Sequence, residues 1–223
     1  MKLFESEPKS NREDGKAKLG NINVYNSREF QQFPKNEQKD HLRYGPFKLV
    51  LAGEGATGKT SLLERVKFNR FNESYHLTVG GDVVFMDLDV NKIPTRLMCW
   101  DSAGQTQFSC IRQAFWKGMK GSIIVFDISW RGSFEAVYSW YYELQETAPE
   151  TPFVLVGSKA DLEANRQISR EEAQDLATEL GAIAYIETSA KTGLDATTPF
   201  ELLIKQILSR QKLSPQLLRT KLA

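Results

Sequence analysis

Eight residues about a quarter of the way along the chain have the types and spacing of a phosphate-binding loop. They are Gly53, Glu54, Gly55, Ala56, Thr57, Gly58, Lys59 and Thr60. An apolar run at 47–52 predicts a buried strand before them, and a helix-like run begins at Ser61. Glycines let successive N–H groups point at a phosphate chain, and the helix N-terminus adds partial positive charge. Lys59 supplies a full charge and the Thr60 hydroxyl a ligand for Mg²⁺. We expect these residues and Ser61 to bind a nucleotide.

A second motif ends the third predicted strand. An acid such as Asp101, at the end of an apolar strand, is costly unless a positive charge lies in front of it. The predicted Mg²⁺ provides that charge, and Asp101 can hold it through water. Gly104 lets a backbone N–H approach a terminal phosphate oxygen, and the Gln105 amide can both accept from and donate to an attacking water. The motif therefore predicts phosphate chemistry beside the loop.

Two polar clusters end the fifth and sixth predicted strands. Their members are Ser158, Lys159 and Asp161 in the first and Ser189, Ala190 and Lys191 in the second. The Asp161 carboxylate can accept hydrogen bonds from N1–H and the amino group of guanine, which adenine does not present. The stem of Lys159 can lie along the ring face, and the second cluster offers backbone N–H groups to the guanine oxygen. The clusters predict a guanine site.

Strand-like and helix-like runs alternate from Pro46 onward. The predicted strands are 47–52, 83–90, 95–100, 122–127, 153–157 and 184–187, and the predicted helices are 61–68, 110–117, 134–145, 170–180 and 200–211. Gly181 should end the fourth helix, with Thr198 the cap and Pro199 the first residue of the fifth. A tight turn at Asn91-Lys92 makes the second and third strands a hairpin. The pattern predicts an α/β fold of the P-loop NTPase type. Its six-stranded sheet is mostly parallel with one antiparallel edge strand, and helices cover both faces.

Composition predicts where the folded domain begins and ends. We expect a disordered arm at 1–45, because its polar composition cannot offset the entropy of ordering, a folded domain at 46–212 and a tail at 213–223. In the alternative, residues 22–25 or 30–33 of the arm dock on the domain or a partner. The 29 Lys and Arg against 28 Asp and Glu give no electrostatic case for nucleic acid.

The cysteines and the hydropathy pattern favour a reducing, aqueous compartment. Cys99 and Cys110 do not have metal-ligand spacing, and Cys99 is expected to be a buried reduced thiol. No apolar run approaches the length of a membrane span, and no signal-peptide core is present. We expect a soluble cytoplasmic protein, peripheral to membranes only through a partner.

The chain resembles the Ras-like superfamily of small GTPases over roughly residues 46–212. All five guanine-nucleotide motifs occur in order. Within the superfamily it resembles the Rab branch most. Trp-Asp-Ser-Ala-Gly-Gln at 100–105 is similar to that branch's Trp-Asp-Thr-Ala-Gly-Gln, and Thr-Val-Gly-Gly-Asp at 78–82 is similar to its Thr-Ile-Gly-Val-Asp. The 23-residue interval from Thr78 to Asp101 is also Rab-like.

The resemblance implies roles for individual residues. Phe71 would pack edge-on against guanine, Tyr75 would close over the phosphates, and Gly55 would leave room for the arginine finger of a GTPase-activating protein. The implied catalytic residues are Gln105, Lys59 and Thr78. The implied Mg²⁺ ligands are Thr60, Thr78 and Asp101, with Thr78 also binding the terminal phosphate through its N–H.

The chain also departs from the family pattern. Ser158 stands where the family has asparagine, and we expect a serine to be too short to tie the base to the phosphate loop. Val83 replaces a phenylalanine, and residues 108–118 follow the second-switch pattern loosely. The last residues contain no cysteine for prenylation, and Lys2 stands where N-myristoylation needs glycine, so no lipid anchor is evident.

The sequence thus predicts a monomeric switch that binds GTP and GDP with Mg²⁺ and hydrolyses GTP to GDP and phosphate. Segments 75–82 and 103–116 would be ordered by the γ-phosphate, and an exchange factor, a GTPase-activating protein and effectors would act on it. One alternative is an interaction module that binds nucleotide with little hydrolysis. Another is an ATP-dependent P-loop kinase, for which the sequence offers no acceptor-binding lid.

Overall fold

The computed structural model describes residues 44–73, 78, 81–102 and 109–210, with the side chains of 44 and 109–111 excepted. The predicted tail at 213–223 and all but the last two residues of the predicted arm lie outside this description. Tyr75, Gly104 and Gln105 also lie outside it.

Six strands form one sheet. They are β1 (Tyr44–Ala52), β2 (Gly81–Val90), β3 (Ile93–Ser102), β4 (Gly121–Asp127), β5 (Phe153–Ser158) and β6 (Tyr185–Glu187). Their order across the sheet is β2-β3-β1-β4-β5-β6. All neighbouring pairs are parallel except β2 with β3, so β2 is the antiparallel edge strand that the sequence predicts. The predicted fold class is confirmed.

The helices lie between the strands along the chain. They are α1 (Lys59–Phe68), α2 (Ser109–Trp116), α3 (Arg131–Glu135), α4 (Val137–Thr147), α5 (Arg170–Glu179) and α6 (Thr198–Arg210), and a 3₁₀ helix spans Ala160–Asn165. Gly181 follows α5 with φ 73°, the left-handed conformation that commonly ends a helix.

A two-residue turn makes the β2–β3 hairpin. Asn91 and Lys92 have φ values of 54° and 65°, and the flanking residues Val90 and Ile93 pair directly. Positive φ at both central residues gives the turn a twist that matches that of the strands. The hairpin prediction is therefore confirmed at its turn.

Side chains of β1 alternate between two buried clusters, one on each face of the sheet. Leu49 and Leu51 pack with residues of α1 and α6, whereas Val50 and Ala52 pack with residues of α2, α3, α4 and α5. Alternation of period two is what a strand covered on both faces requires. The sheet is thus the middle of three layers, and its carboxyl edge stays open for a ligand.

The helix boundaries differ from the prediction by up to three residues, and two of these differences have a clear structural origin. The single helix expected at 134–145 is two segments that begin at Arg131 and meet at Ala136, whose N–H is shared between two carbonyls. The cap of α6 lies one residue earlier than expected, because the Thr197 carbonyl accepts from the N–H of Glu201. Neither shift moves a predicted site residue.

Within the described ranges, none of the helices combines the length and the apolar character needed to cross a bilayer. Cys99 is fully buried and unpaired, as predicted, and the side chain of Cys110 lies outside the description.

Candidate nucleotide-binding cleft

A cleft of about 520 Å³ opens at the carboxyl edge of the sheet. This volume lies within the range of about 300–1,000 Å³ that is typical of small-molecule sites. The predicted site residues that line it are Gly55, Ala56, Gly58, Lys59, Thr60, Ser61, Phe71, Thr78, Ser158, Lys159, Asp161, Ala190 and Lys191. The fold thus brings the phosphate loop together with two clusters that lie about 100 and about 130 residues further along the chain.

Five further predicted residues contact the lining rather than form it. They are Gly53, Glu54, Thr57, Asp101 and Ser189. The three remaining predicted residues (Tyr75, Gly104 and Gln105) lie outside the described part of the chain.

The loop before α1 is shaped as a nest of N–H groups. Ala56 and Gly58 have φ values of 61° and 88°, which turn the backbone back on itself. Within the described residues, the N–H groups of 55–60 donate to no protein acceptor; the first such bond in α1 runs from Leu62 to the Gly58 carbonyl. A concave row of free N–H groups at a helix N-terminus is suited to bind an anion.

The Lys59 ammonium lies inside this loop, with its side chain almost fully buried. Its Nζ donates to the carbonyl oxygens of Gly53 at 2.8 Å and Glu54 at 2.6 Å, which leaves one N–H for a ligand. Burial lowers the pKa of Lys59 to about 8, against the opposing charges of Asp101 and Glu54. An adjacent polyphosphate would favour the charged form again.

Three oxygen-bearing side chains converge beside Lys59. The Thr60 hydroxyl donates to Asp101 Oδ2 at 2.5 Å and lies 3.1 Å from the Thr78 hydroxyl. Asp101 Oδ1 is buried without a hydrogen-bond partner in the described structure, and burial raises the pKa of this carboxyl. A buried orphan carboxylate oxygen among hydroxyls fits a hard cation such as Mg²⁺. No cluster of three His, Cys, Asp or Glu ligands occurs among the described residues, so water and ligand phosphates would complete its shell.

The base-side residues are held by their own hydrogen bonds. Asp161 Oδ1 accepts from the Ser189 hydroxyl at 2.5 Å, which joins the two polar clusters. Lys159 adopts a left-handed backbone with φ 59°, and its Nζ lies 2.6 Å from Asp127 Oδ2. Asp127 also accepts from the N–H and hydroxyl of Ser129. The geometry keeps the lysine stem on the wall of the cleft.

The expectation that Ser158 is too short to reach the phosphate loop is wrong. Its Oγ lies 2.6 Å from the Thr57 carbonyl oxygen and 2.8 Å from that of Phe126. The loop approaches the end of β5 closely enough for a hydroxyl to span the gap. Ser158 is also buried, so water does not compete for this bond.

Sequence reasoning missed Asp127, although its signal was the same as that of Asp101. Every residue of β4 is buried, and the strand ends in this acid. A carboxylate at the end of a buried strand needs a positive partner, and Lys159 is that partner.

A second missed group lies behind the phosphate loop. The Glu54 carboxylate accepts from the indole N–H of Trp140 on α4 at 3.0 Å. The guanidinium of Arg112 on α2 lies 4.5 Å from the Trp140 ring and pairs with Glu143 at 2.8 Å. Only 3% of the Arg112 side chain is exposed. The group connects α2, α4 and the phosphate loop, and no local sequence pattern predicts it.

Comparisons with known proteins agree with the motifs. A family model described as the Ras family matches residues 48–209. Ras-related protein Rab-2B of Dictyostelium discoideum is 37% identical over 185 residues, covering 82% of this chain and 89% of that protein. Rab-13 of Bos taurus is 38% identical over 170 residues, 76% of this chain and 81% of that protein. Rab-11C of D. discoideum is 35% identical over 175 residues, covering 78% of this chain and 76% of that protein. The predicted resemblance to Rab proteins is confirmed.

Proposed function

The chain belongs to the Ras family, whose members are GTPases, and from that premise we propose a Rab-like switch that binds GTP and GDP with Mg²⁺ and hydrolyses GTP. One observation carries the proposal. The phosphate loop, the convergent oxygens of Thr60, Thr78 and Asp101, and the Asp161 cluster all meet at a single cleft.

The phosphate end of the cleft supports binding of the β- and γ-phosphates. The free N–H groups of 55–60 and the remaining Nζ donor of Lys59 would hold the phosphate oxygens. Thr60 and Thr78 would hold Mg²⁺ directly and Asp101 through water, and the bound ion would neutralise charge on the phosphates.

The base end supports selection of guanine. Ser189 holds Asp161 at the cleft wall, where its second oxygen is available to accept from the base. Phe71 and the stem of Lys159 line the same region and could enclose the ring. An adenine base would leave the carboxylate unpaired, which costs binding energy.

Hydrolysis would proceed by in-line attack of water on the γ-phosphate. Lys59 and the loop N–H groups would stabilise the developing charge, and the Thr78 N–H would bind the terminal phosphate. We assign the orientation of the water to Gln105, by resemblance to the family. Unassisted turnover should be slow, on the order of 10⁻⁴ to 10⁻³ s⁻¹, because the family's motifs place no arginine to act on the γ-phosphate in cis.

As for Rab proteins, we propose an exchange factor, a GTPase-activating protein and effectors as partners. They would read segments 75–82 and 103–116, which the γ-phosphate would order. We also propose a cytoplasmic monomer that reaches membranes through a protein partner.

Competition binding with a fluorescent GDP analogue tests the guanine preference. GTP and GDP should displace the probe at far lower concentration than ATP. Asp161→Asn should weaken GDP binding and improve binding of xanthosine diphosphate, because an amide can donate to the additional oxygen. Asp175→Asn, on the outer side of α5, is the matched control. Equal affinity for ATP and GTP would refute the proposal.

Single-turnover hydrolysis separates the switch from a binding module. Protein loaded with GTP should release phosphate slowly, and Gln105→Leu should lower that rate further while nucleotide affinity stays the same. If the two proteins hydrolyse at the same rate, Gln105 does not orient the water.

A further inference from the structure

We propose that Arg65, on α1 and outside the nucleotide motifs, is a positioning residue that aims a backbone N–H at the 6-oxo group of the base. This inference rests on the proposed guanine-nucleotide binding and adds a determinant of base selectivity to it. Arg65 lies five residues beyond Thr60, on the side of α1 that faces the loop after β6.

The guanidinium of Arg65 uses all three of its nitrogens on backbone and amide oxygens. Nε donates to the Ala190 carbonyl at 2.6 Å, and Nη2 donates to the Lys191 carbonyl at 2.9 Å. Nη1 donates to the carbonyl and the side-chain oxygen of Asn69 at 3.0 and 3.1 Å. Arg65 therefore joins the end of α1 to the loop that contains Ala190 and Lys191.

Because the peptide group is planar, the bond to the Ala190 carbonyl fixes the direction of the Lys191 N–H. In a planar trans peptide the C=O and N–H point in opposite directions. When Arg65 binds the Ala190 carbonyl, the N–H of Lys191, which belongs to the same peptide unit, points away from α1. Ala190 and Lys191 both line the cleft, and within the described residues the Lys191 N–H has no protein acceptor. This N–H is thus free to donate to a ligand.

The positive charge strengthens that donor. The described partners of Arg65 are neutral oxygens, so its charge acts on the peptides that it binds, including that of Ala190. A hydrogen bond from a charged donor polarises the peptide, and a polarised peptide has a stronger N–H donor on its other side. A lysine at this position would hold the two carbonyls less firmly, because its donors radiate from one nitrogen on a flexible stem rather than from a planar fork.

The same loop is fixed from its other side by the acid of the base site. The Ser189 hydroxyl donates to Asp161 and accepts from the N–H of Thr192 at 3.1 Å. The loop is therefore held at one end by Asp161 and at the other by Arg65. Removing Arg65 should free the peptide between Ala190 and Lys191 while Asp161 stays in place.

The test compares how the affinity for two ligands depends on Arg65. Equilibrium affinity and release rate are measured for GDP and for 2-aminopurine riboside diphosphate, which keeps the 2-amino group and lacks both the 6-oxygen and the N1 proton. Because Asp161 is present in every variant, the lost N1 bond cancels when each variant is compared with the unmodified protein on the same ligand. The variants are Arg65→Met and Arg65→Lys. The control is Arg70→Met, because Arg70 is a neighbouring, exposed arginine with one hydrogen bond to Glu64. Circular dichroism and the melting temperature report whether each variant folds.

We expect Arg65→Met to weaken GDP binding by about ten- to a hundredfold, mainly through faster release. Binding of the 2-aminopurine ligand should weaken by less than about threefold. Arg65→Lys should restore only part of the loss, and Arg70→Met should leave both ligands unaffected. If Arg65→Met does not fold, the same ligand comparison on Arg65→Lys decides.

An equal loss for both ligands would assign Arg65 a purely structural role and overturn the inference, as would unchanged GDP binding. If the unmodified protein binds neither guanine nucleotide, the proposed function itself is wrong. That result is distinguishable from failure of the Arg65 inference alone, in which GDP binds tightly both to the unmodified protein and to Arg65→Met.

Discussion

Replacing Ser158 with alanine should speed the release of GDP. The Ser158 hydroxyl lies between the carbonyl oxygens of Thr57 and Phe126, at 2.6 and 2.8 Å, and the residue is 5% exposed. It has one proton, so it donates to one carbonyl at a time while staying close to both. Alanine removes this link between the end of β5 and the phosphate loop.

The size of the effect follows from burial. A buried carbonyl that loses its donor costs about 1–3 kcal/mol, since water cannot replace the bond without rearrangement. Part of that cost falls equally on the nucleotide-free protein and does not change affinity. We therefore expect about five- to thirtyfold faster release, which corresponds to about 1–2 kcal/mol.

Ser158→Asn should behave differently. Asparagine would tighten binding if the serine were too short to reach the phosphate loop, but the serine already makes a bond to the loop. An asparagine would replace this bond rather than add one, so release should stay within about threefold of the native rate.

Stopped-flow release of a fluorescent GDP analogue measures all three proteins. Ser122→Ala is the matched control. Ser122 is also a buried serine, but it lies in β4 at the edge of the sheet opposite to Ser158 and the cleft. Release from the alanine variant at the native rate would refute the reasoning. Much slower release from the asparagine variant would show that the hydroxyl does not hold the loop.

Three further predictions concern stability and reactivity. Glu143→Ala removes the carboxylate that pairs with the buried Arg112 guanidinium and should lower the free energy of unfolding by about 3–5 kcal/mol in urea titrations. Asp87→Ala breaks the more exposed pair with Arg96 and should lower the free energy of unfolding by less than about 1 kcal/mol. Equal losses in the Glu143 and Asp87 variants would contradict this prediction. Gly53→Ala places Cβ 2.1 Å from a carbonyl oxygen and should cost at least about 3 kcal/mol, whereas Gly118→Ala meets nothing within 4 Å and should cost about 1 kcal/mol. Burial raises the pKa of Cys99, so with the other cysteine replaced by serine the folded protein should react with a disulfide reagent at pH 8 only as fast as it unfolds. Rapid labelling of the folded protein would show that Cys99 is not buried.

Apolar periodicity was sufficient to predict all six strands to within about three residues at each end. Errors arise where pairing continues past the apolar run. β3 extends through Asp101 and Ser102 because β2 supplies ladder partners for them in Asp82 and Gly81. Strand pairing depends on two segments, so it cannot be predicted from the residues of one segment alone.

The candidate cleft was predictable where its chemistry lies in short motifs. Thirteen of the residues that line the cleft were predicted from the motifs or from the family resemblance. The motifs do not contain the residues that hold them in place. Arg65 and Ala190 are 125 positions apart, and Glu54 and Trp140 are 86 apart, so only the fold reveals these contacts. The error at Ser158 has the same origin, because the distance to the loop is set by tertiary packing.

The bond between Trp140 and Glu54 gives the protein an internal optical probe. The indole is 3% exposed and donates directly to a carboxylate of the phosphate loop, in a low-dielectric site where nearby charge acts strongly. A change of charge or position in that loop alters the electric field at the ring and hence its emission. Trp130 is 43% exposed and contributes a solvent-quenched background that Trp130→Phe would remove. Occupancy of the cleft can then be followed by the protein's own fluorescence, with no label on the ligand.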